Sequence, residues 1–484
     1  MSSIQHKLEK WGISVPEILL PQGIDLRQWA VIACDQFTQD RLYWEKVKET
    51  VAGSPSALNL IFPEVFLDDE NRTERIEDIH RSMRHYLDSG VFAAGKAARR
   101  GFIYLERDTP VKRGRKGLIA AVDLERYDWS PQSRPLIRST EGTVPERLPP
   151  RMDIRRNAPL ETPHILLLID DEADSLLGGL GEQAKKNAPA YQGELMLNSG
   201  NVSGWFLDDS LGGEACLLSW NFLVEGLEKL AHKAFTRYGG EQPFLFAVGD
   251  GNHSLASAKG IWEEYKREHG LQALPPETLP IANLWFAPCR YALVEIENIY
   301  DPAIQFEPIH RLVFGLGFNE TINLLSALPG FSSRTVASRE GLARLCAEPF
   351  NGNRFGIASG GHYALVETNA GGIATVCLQP LLDQAASGNS GISLDYIHGE
   401  NELFRLCSDD KPVTGILLPP VQKAGFFETV ARCGPLPRKS FSMGEAAEKR
   451  FYIECRRLDL YGKNSDNIET HERTYRQCPA SHRR

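Results

Sequence analysis

The residues of this chain that can do chemistry gather in a few short stretches. Gly249-Asp250-Gly251-Asn252-His253 stands between an apolar run, Phe244 to Val248, and a segment of helical periodicity that begins at Ser254. Glycines admit a ligand to the backbone, and the free N–H groups of a first helical turn favour an anion. Asp250 can hold a metal ion or a ligand hydroxyl, and a histidine such as His253 moves protons near neutral pH. The same residues also suit a plain strand-to-helix loop, with Asn252 or Ser254 capping the helix. Gly-Asp-Gly by itself does not decide between the two.

A second concentration is arginine-rich. Arg134, Arg138, Arg147, Arg151, Arg155 and Arg156 share one window with Glu141, Glu146 and Asp153. Pro145, Pro149 and Pro150 bar a long regular helix there. Such a segment offers planar guanidinium forks to phosphate or carboxylate, or else builds an internal ion-pair network. Glu141 is a candidate general base, or a magnesium or hydroxyl contact. Asp35 follows the apolar Trp29 to Cys34, at the strand end where α/β proteins often place ligand contacts. Pro308 precedes His310 and Arg311. Asp395 and His398 stand three apart, the spacing that would pair them across a helical turn. Arg438, Lys439 and Ser440 lie in a basic loop and are further candidates for an anion. Asp170, Asp171 and Glu172 read as a solvated strand end rather than a metal site.

The elements that must position these residues alternate between strand and helix. Leu255, Ala258, Ile261, Trp262 and Tyr265 recur at helical spacing after the glycine loop. Helices are expected over Arg41 to Val51, Thr73 to Ser89, Ser175 to Asn187, Cys216 to Arg237, Glu320 to Leu328, Arg339 to Cys346 and Ala424 to Arg432. A hairpin is expected from Phe102 to Glu106 and Leu118 to Leu124, around the basic turn Lys112 to Lys116. Buried strands are expected at Trp29 to Cys34, His164 to Asp170, Gly204 to Leu207, Ala282 to Phe286, Tyr291 to Ile296 and Gly415 to Pro420. Asn353 to Glu367 and Ile373 to Leu378 read as a hairpin-like set, and Ala447 to Leu458 as a strand or a helix. The expected class is mixed α/β, a central mixed sheet with flanking helices and a smaller α+β insertion. The expected organisation is a main body over residues 1–311, a subdomain over 312–390, a return to the main body over 391–460 and a disordered polar tail over 461–484.

The stretch GDGNHSLASAK resembles the signature of an uncharacterised bacterial and archaeal family, domain of unknown function 1015. ILLPQGIDLRQWAVIACDQFT, LNLIFPEVFL, RSTEGTVPERLPPR, FEPIHR, LDYIHGE and LPRKSFSMGEAAEKRFY agree with it, from Ile18 to Tyr452. The family supplies no function. The Asp-Gly-Asn-His core is similar, more loosely, to the Asp-Gly-His-His-Arg box of the ParB and sulfiredoxin superfamily. That superfamily binds nucleotides and includes free-serine kinases. Ser254 stands where its arginine would follow, so a phosphate-binding arginine has to come from elsewhere, with Arg438 and Lys439 as candidates.

Composition sets the outer limits. The chain has 484 residues, 42% hydrophobic and 24% charged, ordinary for a globular protein. No apolar run approaches bilayer length, and MSSIQHKLEKWG lacks the apolar core of a secretory signal, so no membrane is expected and the location is expected to be cytoplasmic. Nine scattered cysteines without a Cys-x-x-Cys pair fit reduced thiols. A net charge of −9 and the lack of a helix-turn-helix pattern argue against nucleic acid.

The inventory points to a nucleotide-dependent phosphotransferase for a small hydroxylated metabolite. ATP or ADP with magnesium would be bound through Gly249, Gly251, Asn252, Arg138, Arg151, His310, Arg311, His398, Arg438 and Lys439. Asp250 would be the metal ligand, and Asp250, His253, Glu141 and Asp35 the catalytic set. No Walker motif is present. A regulator that binds a nucleotide or phosphorylated metabolite without turnover is the alternative, and a metal-dependent hydrolase using His253, His310, His398 and nearby carboxylates is another.

Overall fold

Alternation along three long strands separates two of the apolar clusters of this chain. On strand Arg99–Asp108, Phe102 and Tyr104 face one apolar cluster while Ile103 and Leu105 face another. Strand Arg115–Asp123 repeats the pattern with Leu118, Ala120 and Val122 against Ile119, and strand Tyr291–Asn298 with Ala292, Val294 and Ile296 against Leu293. A sheet apolar on both faces needs cover on both. Helices Glu214–Tyr238 and Asn252–Glu268 cover one face with Leu223, Leu227, Leu255 and Trp262. Helices Arg41–Val51 and Arg72–Asp88 cover the other with Trp44, Val47, Ile79 and Met83. The class is mixed α/β, as the alternation of elements in the sequence implies.

The computed structural model describes residues 3–92, 99–208, 214–272, 288–407 and 413–458. Among these, the large sheet has eleven strands, and its path ends with Tyr291–Asn298, Leu166–Ile169, Phe246–Asp250, Ile137–Arg138 and Tyr127–Asp128. Phe246–Asp250 is parallel to Ile137–Arg138 and antiparallel to Leu166–Ile169. A second, seven-stranded sheet is built from strands between Phe306 and Met443. Strand Phe306–Phe314 threads it, pairing with Ser393–His398, Val413–Leu417 and Phe441–Met443. Met443 then lies on Gly249, where an added Cβ would come within 2.6 Å of its sulfur. That close approach brings the last segment of the second sheet to the end of the central strand.

Three local expectations are corrected. Trp29 ends a short helix, Leu26–Trp29, because Asp25 caps it through the Arg27 N–H, and the strand that follows is only Val31–Ile32. Ile373 to Leu378 opens a helix, Ala374–Gly388, whose Ala374, Leu378 and Leu382 are buried at a four-residue spacing longer than the short window that suggested a strand. The hairpin in that region is Asn353–Ser359 with His362–Thr368, turning at Gly360 and Gly361, whose φ values are 53° and 76°. Asp395 and His398 lie on the strand Ser393–His398, where an odd spacing sends them to opposite faces. The expected strand at Ala282 to Phe286 and the expected tail over 461–484 lie outside the described residues.

Candidate functional site

The central strand ends at Asp250, and Gly251 turns the chain. Gly251 has φ +79°, and a Cβ there would stand 3.1 Å from Ile165 Cα, so both its torsion and its space call for glycine. Helix Asn252–Glu268 starts at once and carries no side-chain cap. Its first-turn N–H groups are therefore left to a ligand or solvent.

Asn252 acts as a clip. Its Oδ1 accepts from Ser139 Oγ at 2.6 Å and from Thr140 N at 3.2 Å, while its Nδ2 donates to Thr140 Oγ1 at 3.4 Å. Thr140 Oγ1 in turn donates to Val248 O at 2.5 Å. These bonds fix the chain that leads into Glu141. Glu141 bridges Leu436 in parallel, with Leu436 N donating to Thr140 O at 2.8 Å. The Glu141 segment, the loop before Phe441 and the segment around Lys449 thus converge on Asp250.

Two carboxyls meet there with opposite tendencies. Asp250 Oδ2 accepts from Lys449 Nζ at 3.0 Å, and its Oδ1 accepts the Gly251 N–H at 3.0 Å. Burial pushes this carboxyl up, but Lys449 and the Gly251 N–H oppose it, and Asp250 is held below the ordinary aspartate range. Glu141 is pushed up to about 7 by burial and by the charge of Asp250, against the pull of the Lys439 backbone N–H, Lys449 and Arg438. One carboxyl is ionised and the other is poised near neutrality, the separation that distinguishes a charge holder from an acid or base.

His253 borders the same place from the first helical turn. Its Nε2 accepts from Val144 N at 3.4 Å. Burial, Arg151, Arg147 and Arg438 press its pKa down to about 4, so the ring is neutral at pH 7. Cationic surroundings suit an anion and oppose a metal ion at this imidazole. Arg151 is shared, since its Nη2 also donates to Glu64 Oε1 at 2.5 Å.

Asp35 enters through a histidine. His164 Nε2 is 3.9 Å from Asp35 Oδ2 and 2.9 Å from Ser254 Oγ, and His164 Nδ1 is 2.6 Å from the Tyr452 hydroxyl. A buried ionic network behind the site fixes both Lys449 and His164. Arg107 donates to the carbonyls of Glu448 and Lys449, and Arg115 pairs with Glu297 at 2.6 Å while reaching Glu448 O at 3.0 Å. Arg450 pairs with Glu295 and Glu454 and donates from Nε to Pro163 O at 2.9 Å.

Several candidates lie elsewhere or act indirectly. Arg138 stacks 4.4 Å from the Phe244 ring and donates from Nε to Pro135 O, lining a small cleft with Arg134, Ser130 and Gly434 rather than the Asp250 site. On strand Ile137–Arg138 it points away because its successors Ser139 and Thr140 are the residues drawn to Asn252. Arg311 is fully buried, donating to Gln379 Oε1 at 2.8 Å and to Lys439 O at 3.0 Å, so it holds the Arg438–Ser440 turn from behind. The Lys439 ammonium lies 5.3 Å from the Tyr396 ring. His310 accepts the Leu418 N–H at Nδ1, and burial with Arg311 and His398 presses it down to about 4. Burial also lowers His398, with Lys449 and Lys439 adding to the effect and Glu445 opposing it. Among the described residues no group of three or more His, Cys, Asp or Glu is placed to hold a metal ion, and the three histidines of the hydrolase alternative do not converge on one. Arg155 and Arg156 pair with Glu161 and with Asp153 and Glu264.

His164, Lys449, Glu64 and Tyr452 were not singled out by residue type. Lys449 and Tyr452 do fall within LPRKSFSMGEAAEKRFY, and Glu64 within LNLIFPEVFL, so the shared stretches carried a signal. His164 had only its place at the head of an apolar strand.

Comparison with solved structures finds weak likeness over long stretches. A free serine kinase in complex with AMP is 12% identical, with a TM-score of 0.35 over 73% of this chain and 97% of that one. SbnI with C-terminal truncation from Staphylococcus aureus is 12% identical, TM-score 0.34, over 74% and 94%. A conserved hypothetical protein from Pyrococcus furiosus is 11% identical, TM-score 0.33, over 71% and 95%. No curated protein sequence gives a significant match. The family model described as "Protein of unknown function (DUF1015)" matches residues 19–385, and the chain belongs to that family.

Proposed function

We propose that the Asp250 site is the centre of a nucleotide-dependent phosphotransferase acting on a small hydroxylated metabolite. The observation that carries this reading is the opposed protonation of Glu141 and Asp250 beside Lys449, at an uncapped helix start bordered by Arg147, Arg151 and Arg438. Phosphoryl transfer asks little covalent chemistry of a protein. It asks for cations and N–H donors at the phosphates and for a group that positions the attacking hydroxyl. The amides after Gly251 and the guanidiniums suit the phosphates of ATP or ADP. Glu141, with a pKa near the working pH, suits removal of the hydroxyl proton.

A magnesium ion accompanying the nucleotide fits the residues present. Such an ion needs only one or two carboxylates beside phosphate oxygens. Asp250 is ionised and keeps lone pairs beyond its two hydrogen bonds, so Asp250 would hold the ion. When bound, magnesium would offset phosphate charge.

The test is incubation with ATP or ADP, magnesium and a pool of hydroxylated metabolites. A phosphorylated metabolite that disappears in Glu141→Gln supports the reading. Nucleotide binding without product identifies a regulatory protein instead. Absence of both binding and product rejects the site.

A further inference from the structure

Ser254 and His164 are joined in a way that the helix does not require. Ser254 stands in the first helical turn, where the residue four back, Asp250, belongs to the preceding strand, so no helical carbonyl competes for its hydroxyl. Ser254 meets His164 Nε2 at 2.9 Å. The histidine is itself held from its other nitrogen by the Tyr452 hydroxyl at 2.6 Å. A nucleophile within hydrogen-bond reach of a base, with the base oriented by a third group, is the arrangement that activates a hydroxyl.

The Tyr452 oxygen accepts the Cys34 backbone N–H at 3.2 Å. Burial raises both the Cys34 thiol and the phenol, so neither ionises at neutral pH. In the tautomer that carries its proton on Nδ1, His164 donates to the same oxygen, 2.6 Å away. Nε2 is then the bare nitrogen that faces Ser254. Asp35 Oδ2, 3.9 Å from Nε2, stabilises the imidazolium that forms when the proton arrives.

We infer that Ser254 accepts the phosphoryl group of the nucleotide before passing it to the metabolite, with His164 as its base. This rests on the phosphotransferase reading above. In the first half, a bond forms between Ser254 Oγ and the terminal phosphorus. The phosphoanhydride bond breaks, the Ser254 proton moves to His164 Nε2, and the nucleotide leaves one phosphate shorter. In the second half, the metabolite hydroxyl attacks phosphoserine, Glu141 takes its proton, and His164 returns the other proton to Ser254. The first-turn N–H groups and Arg151, Arg147 and Arg438 bear the phosphate charge in both halves.

The experiment uses the full chain, ATP labelled in its terminal phosphate, and magnesium, first without any metabolite. Acid quenching and peptide mass spectrometry are expected to find phosphoserine at Ser254. It is absent in Ser254→Ala and reduced in His164→Gln, with circular dichroism confirming that both variants fold. With a chiral terminal phosphate, two successive displacements give retention of configuration in the phosphorylated metabolite. Inversion, together with Ser254→Ala turning over at the wild-type rate, overturns the covalent step and leaves the phosphotransferase standing. No transfer to protein or metabolite overturns both.

Discussion

Lys449 donates from Nζ to Asp250 Oδ2 at 3.0 Å, tying the end of the central strand to a segment 199 residues further along the chain. Lys449 is 8% exposed and Asp250 22%, so removing one partner leaves the other charge largely desolvated. Lys449→Met is expected to cost about 3 kcal/mol of unfolding free energy, read by urea denaturation. The sign with pH is fixed by the depressed Asp250. Its contribution is present above the unfolded aspartate value, about 4, and is lost as pH falls through the lower folded value. Lys449→Met should therefore flatten the acid limb of the stability curve. An unchanged acid limb would show that the pair carries no linkage.

Glu141 gives the opposite sign. Its folded pKa is about 7, above the unfolded glutamate value of about 4.3. The stability tied to its protonated form is present below that unfolded value and is lost as pH rises through about 7. Glu141→Gln should remove this dependence and stabilise the protein at alkaline pH. For turnover the ionised form is the competent base, so kcat/KM should rise with pH through an inflection near 7. Glu141→Gln should lose the inflection and about 10²-fold or more of the rate. An inflection that survives in Glu141→Gln belongs to another group.

His253 reports on the anion. Its pKa is pressed to about 4 by burial and by Arg151, Arg147 and Arg438. A phosphate bound among those guanidiniums compensates their charge, so the imidazole should titrate closer to its ordinary value when ADP or inorganic phosphate is added. The His253 ring signals followed by NMR against pH measure this directly. Arg438→Ala should weaken ADP binding by about tenfold and raise the His253 pKa in the free protein. A titration curve indifferent to ADP would place the nucleotide elsewhere.

The strand, glycine loop and helix around Asp250 were legible because their signals are local: an apolar run, turn residues, then helical spacing. Arg41–Val51 and Arg339–Ala347 were legible for the same reason. Asp395 and His398 were misread because a spacing of three suits a helix, and whether a six-residue stretch is helix or strand is decided by its pairing with Phe306–Phe314. Two of the cations lie away from Asp250 for a related reason. Arg138 and Arg311 look like ligand residues by charge, but strand register turns one toward Phe244 and buries the other behind Lys439. His164 was invisible, since its role depends on Tyr452 and Ser254, residues distant in the chain that only the fold brings to its two nitrogens.

Asn252 tests whether the loop is held or merely adjacent. Its amide satisfies Ser139 Oγ, Thr140 N and Thr140 Oγ1, all buried. Asn252→Ala leaves Thr140 N without its acceptor, while Ser139 Oγ keeps Glu141 O and Thr140 Oγ1 keeps Val248 O, and should cost about 2 kcal/mol, with loss of activity because Glu141 follows directly on the freed segment. Asn252→Asp keeps the acceptor for Ser139 and Thr140 but loses the donor, and should recover part of the stability. Equal destabilisation by the two variants would mean that the acceptor bonds carry no weight.

The last prediction separates a cation behind the site from one outside it. Arg311 is fully buried, with Nε on Gln379, Nη1 on Lys439 O, and Nη2 without a hydrogen-bond partner among the described residues. Burial lowers its pKa to about 10. Lys439, whose carbonyl it holds, has φ +52°, a torsion that a non-glycine residue keeps only when its surroundings impose it. A lysine cannot reproduce the planar fork, so Arg311→Lys should release this turn. ADP affinity should fall through the displaced turn, and unfolding stability should drop by about 2 kcal/mol. Arg138→Lys should leave ADP affinity unchanged, because its guanidinium faces Phe244 and Pro135 O. Calorimetric titration of both variants decides the matter. If Arg138→Lys weakens ADP binding as much as Arg438→Ala, the nucleotide lies in the Arg134–Arg138 cleft and the Asp250 loop is its scaffold.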